Sequence, residues 1–260
     1  MTSTRLWDRA SRLPVPADGR RRAEIAVLAP GLPTVDELFT FMRDAEVRFH
    51  TLRLRIEETA VTTRGDHLTV IDTLLRHPGD AKVISSDPAR GITGSYELWI
   101  SDGVTVRTYS AANRLGTNRP VRRGVVGLDD PDLPGMSTVY EPVTPLPMET
   151  LPDTFVHPGG YCQNVLATGR TWISGTVDVG DREAIVVECQ SPRTIEVVAD
   201  RPDHHQQVSV DRETGVIVRL TETIGGEVTR DAIVTSLLPD APLPPTAFQF
   251  AFPTGTTILY

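Results

Sequence analysis

Lysine is almost missing from this chain: Lys82 is the only one in 260 residues, so nearly all of its 26 basic residues are arginines. That skew reflects the coding bias of a GC-rich genome and says little about function. Acid outnumbers base, 34 to 26, for a formal net charge of −8. A balance of that sign disfavours nucleic acid and anionic membrane surfaces as principal partners, because both need a basic field. Long apolar runs are absent too. No stretch approaches the roughly 20 residues of a membrane span, so none is expected. Arg20, Arg21 and Arg22 precede a short apolar stretch, Ile25 to Ala29, but Glu24 interrupts it and Pro30-Gly31 ends it. An export signal needs about 7–15 apolar residues there, and the expected location is therefore cytoplasmic.

Cysteine is scarce. Cys162 and Cys189 fit no zinc spacing and read as free thiols acting as small hydrophobes; a bond between them would contribute about 3–4 kcal/mol.

Catalytic signatures are missing as well. There is no G-x-S-x-G nucleophile turn, no phosphate-cradling loop and no dinucleotide fingerprint. The six histidines are scattered, and only His204 and His205 adjoin. Neighbours on a strand point to opposite faces and would not chelate one metal, so this pair reads as solvated loop. Cys162 follows His157 by five residues near a helix start, yet nothing fixes a third group or an oxyanion hole. The acid pairs Glu57-Glu58 and Asp129-Asp130 read as surface. No catalytic residue, metal ligand or cofactor is expected, and the reading leans away from an enzyme.

What is present is a strong β pattern behind one helix. Thr34 and Glu37 have capping-box spacing, and Leu38, Phe39, Met42 and Ala45 follow at helical intervals, predicting a helix over 35–47. The period then drops to two: Leu52, Leu54 and Ile56 alternate with Arg53, Arg55 and Glu57. His77-Pro78-Gly79-Asp80 turns the chain into a strand over 81–85. Asp102-Gly103 predicts a two-residue turn that sets Trp99 opposite Val106 and Tyr96 opposite Tyr109, with apolar groups on both faces. From 127 to 160 a long connection rich in Pro, Gly, Asp and Thr leads to a short helix near 161–167. Strands are predicted at 171–177, 183–190, 193–199, 205–211, 216–223, 227–237 and 247–252, the last aligning Phe248, Phe250 and Phe252 on one face.

The order of these elements carries a resemblance. The capped helix, the Leu98-Trp99-Ile100-Ser101-Asp102-Gly103 hairpin with Tyr109, the Val210-Asp211-Arg212-Glu213-Thr214-Gly215 turn and the closing Phe248-Gln249-Phe250-Ala251-Phe252-Pro253 run resemble the LolA/LppX/RseB-like superfamily over residues 33–260. The resemblance implies a mainly β, α+β fold: an unclosed antiparallel half-barrel of about eleven strands, with helices covering the concave face. It also implies a lipid or lipoprotein acyl chain held between sheet and helices, whereas RseB-like members hold an anti-sigma factor. The chain departs from the family in showing no export signal or lipobox.

The expected organisation is an N-terminal arm over 1–32 and a LolA-like β domain over 33–260. The expected function is a binding or carrier protein for a hydrophobic or acyl-bearing molecule. Phe39, Met42, Leu52, Leu54, Ile56 and Trp99 are the candidate lining, although simple core packing is the plainer reading of each. A scaffold that holds a protein partner is the alternative, and a cavity enzyme of small-molecule biosynthesis a third.

Overall fold

A computed structural model describes residues 26–63, 65–90, 95–121, 142–193 and 201–259. Twelve strands form one sheet in the order β12-β6-β5-β4-β3-β2-β1-β11-β10-β9-β8-β7. Its two terminal strands do not meet, so the sheet is open. Every pairing is antiparallel except β12 (Thr257–Leu259) on β6 (Leu115–Pro120). The architecture is thus the unclosed antiparallel sheet with helices that the resemblance implied, with twelve strands among the described residues where about eleven were expected.

The helix α1 (Val35–Arg43) starts where its cap says it should. Thr34 Oγ1 accepts from the Glu37 N–H at 3.3 Å, and Glu37 returns a carboxylate to the Thr34 N–H at 2.8 Å. The α-helix stops short of the expected 47: Asp44 leaves helical geometry, and Ala45–Arg48 continues as a 3-10 turn. That turn buries Glu46 and Arg48, which a purely apolar stripe does not predict. Phe41, absent from the predicted stripe, is also buried, whereas Phe39 is only partly covered. Thr34→Ala should cost about 1 kcal/mol and lower Tm by roughly 2–4 °C in a thermal melt, because the Glu37 N–H loses its side-chain acceptor while the backbone bond to the Glu37 carboxylate remains.

In β1 (Thr51–Thr62) the two-residue period decides the faces: Leu52, Leu54 and Ile56 are buried while Arg53 and Arg55 are exposed. Register carries this alternation across the sheet. Leu54 lies opposite Thr73 of β2 (Gly65–Arg76), Thr73 opposite Val83 of β3 (Asp80–Ser86), and Val83 opposite Trp99 of β4 (Tyr96–Asp102). We call this the inner face. Arg55, Asp72, Ile84 and Leu98 form the matching outer row.

The hairpin between β4 and β5 (Thr105–Ser110) differs from its predicted register. Trp99 lies opposite Thr108 and Leu98 opposite Tyr109. The turn has moved one residue along, with Gly103 as its first central residue at φ 79°. A turn that takes positive φ at that position favours glycine. Asp102 fixes the shift by accepting from the N–H groups of Val104 and Thr105 at 3.0 and 2.7 Å.

The predicted strand over 247–252 does not form. Its residues run instead as an irregular tail across the outer face of β3–β6. Ala247 and Phe248 join Leu98, Ile100 and Tyr109 in a second apolar cluster, against which Phe250 and Phe252 pack. The Tyr109 ring lies 5.8 Å from Phe250, and Phe250 lies 5.2 Å from Phe252. An outer face this apolar needs a cover, and the tail's side chains supply it without using its backbone as a strand. The hairpin is indeed apolar on both faces.

In the second half, β7 (Arg170–Val179), β8 (Arg182–Gln190), β9 (His204–Asp211), β10 (Ile217–Ile224) and β11 (Glu227–Pro239) follow the predicted meander. The predicted strand at 193–199 lies, from residue 194, outside the described residues, as does residues 122–141 of the long connection. The helix expected near 161–167 is two helices, α2 (Leu151–Val156) and α3 (Pro158–Asn164), followed by a 3-10 turn at Leu166–Thr168. No helix among the described residues is long and apolar enough to cross a membrane.

Candidate functional site

The three helices lie on the inner face, and the space between them and the sheet is the candidate site. Leu52, Leu54 and Ile56 rise from β1, two residues apart and therefore about 6.6–6.8 Å apart along the strand. Leu38 and Met42 of α1, Phe155 of α2 and Cys162 of α3 meet them in one cluster; of these seven, Cys162 is the most exposed at 2%. Of the six candidate lining residues, Met42, Leu52, Leu54 and Ile56 sit inside this cluster, and Phe39 and Trp99 pack on its border, partly covered. The structure gathers the six around one apolar interior, and in the form observed its centre is closed.

Each end of the interior is polar. Beyond Leu52, the 3-10 turn presents Glu46 to His157 at the α2–α3 junction. His157 Nε2 is 3.4 Å from Glu46, an ion-pair contact, and His157 Nδ1 donates to Asp153 Oδ1 at 2.8 Å. Burial pushes the imidazole towards neutrality, but the two carboxylates outweigh it and raise its pKa to about 9. His157 is therefore a cation clamped between acids from two elements. Beside it, His77 stacks on Phe49 with centroids 5.6 Å apart. The Thr144 hydroxyl accepts from the Gly79 N–H and is left to donate to His77 Nδ1, both at 2.8 Å. Burial lowers the His77 pKa to about 4, so this imidazole is neutral.

At the opposite end, two residues past Ile56, Glu58 takes Arg230 Nε at 2.6 Å. Arg230 also lies 3.8 Å from Glu222, Glu222 accepts from Gln206 Nε2 at 3.0 Å, and the Tyr161 hydroxyl donates to Gln206 Oε1 at 2.8 Å. This chain of contacts ties α3 to β9, β10, β11 and β1. Burial, reinforced by Glu222, raises the Tyr161 pKa well above its ordinary value, so the phenol stays a donor.

Sequence reasoning missed both polar ends. Glu58 was expected on the surface with Glu57, but strand alternation sends the two to opposite faces: Glu57 pairs loosely with Arg55 outside, and Glu58 turns in. His204 and His205 also depart from expectation, because they open β9 rather than a loop. His204 is buried, and His205 meets Glu188 at 2.7 Å on the outer face. The signal available was the strand's own alternation applied one residue further at each end. Asp129 and Asp130 lie outside the described residues.

The two thiols are free and buried. Cys162 points its Sγ at Met42 Sδ, 3.7 Å away, while His157 is held by its two carboxylates. Burial pushes the Cys162 thiol up to about 12. A thiol in that setting is a small hydrophobe and no nucleophile. Among the described residues no group of three or more His, Cys, Asp or Glu is placed to hold a metal ion.

An open sheet with short helices on one face is the geometry on which comparison with solved structures turns. An uncharacterised conserved protein from Thermus thermophilus is similar at 8% identity and TM-score 0.48, over 84% of this chain and 96% of that one. MucB is similar at 13% identity and TM-score 0.48, over 84% of this chain and 62% of MucB. The lipoprotein LppX of Mycobacterium tuberculosis is similar at 8% identity and TM-score 0.40, over 80% of this chain and 98% of LppX. In fold, the chain is similar to LppX and MucB. No family model matches the sequence, and no curated protein matches it.

Proposed function

We propose that the chain is a binding or carrier protein for a hydrophobic or acyl-bearing molecule, held between the sheet and its helical cover. One observation carries the reading: the make-up of the cover. α2 and α3 are 6 and 7 residues long, separated at His157 and carrying Pro152, Pro158, Gly159 and Gly160. Helices below about 12 residues have little stability of their own. Yet these two shield a broad apolar sheet face, held there by Phe155, Val156 and Cys162, by the His157–Glu46 ion pair at one end and by the Tyr161–Gln206 hydrogen bond at the other. Lifting them breaks no strand pairing. The apolar surface of Leu52, Leu54, Ile56 and Met42 would then be re-covered by an acyl chain at little net cost in hydrophobic free energy. Phe39 and Trp99, at the border, are where a guest would first touch the protein.

Native mass spectrometry tests this. Protein stripped with mild detergent and exposed to mixed phospholipids and fatty acids should recapture one guest per chain. Recapture should fall several-fold when Leu54 is replaced by Asp in protein that still melts cooperatively. Folded, stripped protein that recaptures nothing would sink the reading.

The other reading, a protein partner, has one feature in its favour. Among the described residues β7 ends the sheet, with β8 as its one strand neighbour, and leaves Trp172 and Val177 exposed, 38% and 43%. The exposed edge of a sheet accepts an extended peptide by adding a strand. The same preparation separates the two, because a partner held on β7 would be lost on Ile173→Pro while lipid recapture persisted.

A further inference from the structure

The outer face of the second half-sheet carries a groove that the lipid reading leaves unused. It is an opening of about 350 Å³ walled by β7 residues 174–180 and floored by the outer faces of β8–β11. Its floor follows a single row of the ladder. Gly175 lies opposite Val186, Val186 opposite Ser209, Ser209 opposite Arg219, and Arg219 opposite Ile233. Four inter-strand steps make a trench roughly 19 Å long. A bulge in β7 between Ile173 and Gly175 shapes the wall.

The chemistry of the trench is selective. Ser209 is 2% exposed and lines the groove, and among the described residues its hydroxyl has no hydrogen-bond partner. A hydroxyl that faces an opening is satisfied by water or by a polar group that replaces the water. Gln207 gives its amide N–H to Glu188 at 2.8 Å and keeps its carbonyl oxygen as an acceptor. Arg219, the cation of the trench, is committed through Nε and Nη2 to Asp231, both at 3.0 Å. Within the trench itself an anion therefore finds no free cation among the described residues, and an acyl chain would strand the Ser209 hydroxyl.

A flat ring borders the trench. Trp172, 38% exposed, lies opposite Glu188, whose Oε1 accepts from both Ser174 and Gln207 of the groove. All four are thus on one face. The Arg170 guanidinium sits 5.8 Å from the indole centroid, and the His205 ring lies 6.1 Å away. An aromatic face beside hydroxyl, amide and carboxylate acceptors matches a molecule with apolar C–H faces and hydroxyl edges. We propose that this outer groove binds a neutral, hydroxyl-rich ligand, a short saccharide, with the Trp172 ring as platform and Ser209 and Gln207 as hydrogen-bonding partners. The site is separate from the helix-covered interior and does not rest on the lipid reading.

Saturation-transfer NMR on the full chain with chitobiose, cellobiose and maltose tests the proposal, with inorganic phosphate as the anionic probe. We expect transfer from at least one disaccharide, with Kd near 1 mM or tighter. Trp172→Ala and Ser209→Val should each weaken that binding by about tenfold, equivalent to roughly 1.4 kcal/mol, with an unchanged circular dichroism spectrum. Trp172 is at the surface, so its substitution decides the matter even if Ser209→Val fails to fold. Absence of transfer from all three disaccharides at about 10 mM, binding that survives Trp172→Ala, or displacement by phosphate would each overturn the assignment.

Discussion

Replacing His157 by leucine should lower the free energy of unfolding by about 3–5 kcal/mol at pH 7, because it breaks the buried contacts of the imidazole with Glu46 and Asp153. Glu46 is 1% exposed and also accepts from the Val143 N–H at 2.9 Å. The pH dependence follows from the same geometry. A histidine whose folded pKa, about 9, lies above its unfolded value of 6.5 binds its proton more tightly when folded. Its stabilisation is complete below pH 6.5 and fades as pH rises through 9, by about 3 kcal/mol in all. His77 acts on the acid side. Its folded pKa of about 4 lies below 6.5, so its stabilisation is present above pH 6.5 and lost as pH falls towards 4. Urea unfolding across pH 4 to 10 should show a dome for the natural chain. His157→Leu should flatten the alkaline limb and spare the acid one; an unchanged alkaline limb would show that the clamp carries no charge.

Phe155→Ala should cost about 3–5 kcal/mol, the usual range for emptying a fully buried aromatic site. Phe155 is 0% exposed and is the largest apolar side chain of α2 in the main cluster. Six residues of helix cannot hold their place without it. The loss should appear as a lower urea midpoint with little change in slope, together with stronger binding of an apolar dye as the inner face loosens. If α2 is a removable cover, the variant should also take up lipid faster than the natural chain. Slower uptake would mean that the phenyl group forms part of the binding surface.

Much of the fold was legible along the chain. The Thr34–Glu37 box marked the start of α1, alternation at Leu52, Leu54 and Ile56 marked both faces of β1, and the Gly180-Asp181 and Gly225-Gly226 pairs marked turns that exist. The misses have physical reasons. The Asp102 side chain, by capping two N–H groups, moved the hairpin turn by one residue and the register by two. Phe248, Phe250 and Phe252 spell a strand by period, but their rings are satisfied by packing on Leu98 and Tyr109, and that packing requires no strand pairing.

Local pattern by itself determined that this chain is an antiparallel sheet with one capped helix, because helix caps and two-residue alternation act between near neighbours. It determined the six greasy positions but not whether the space among them is open. Only the tertiary structure decided that. It also decided that Glu58 meets Arg230, 172 residues away, and that the Ser209 hydroxyl faces a groove with no hydrogen-bond partner among the described residues. Such meetings depend on strand order and on the fit of side chains across layers, and no local rule encodes either.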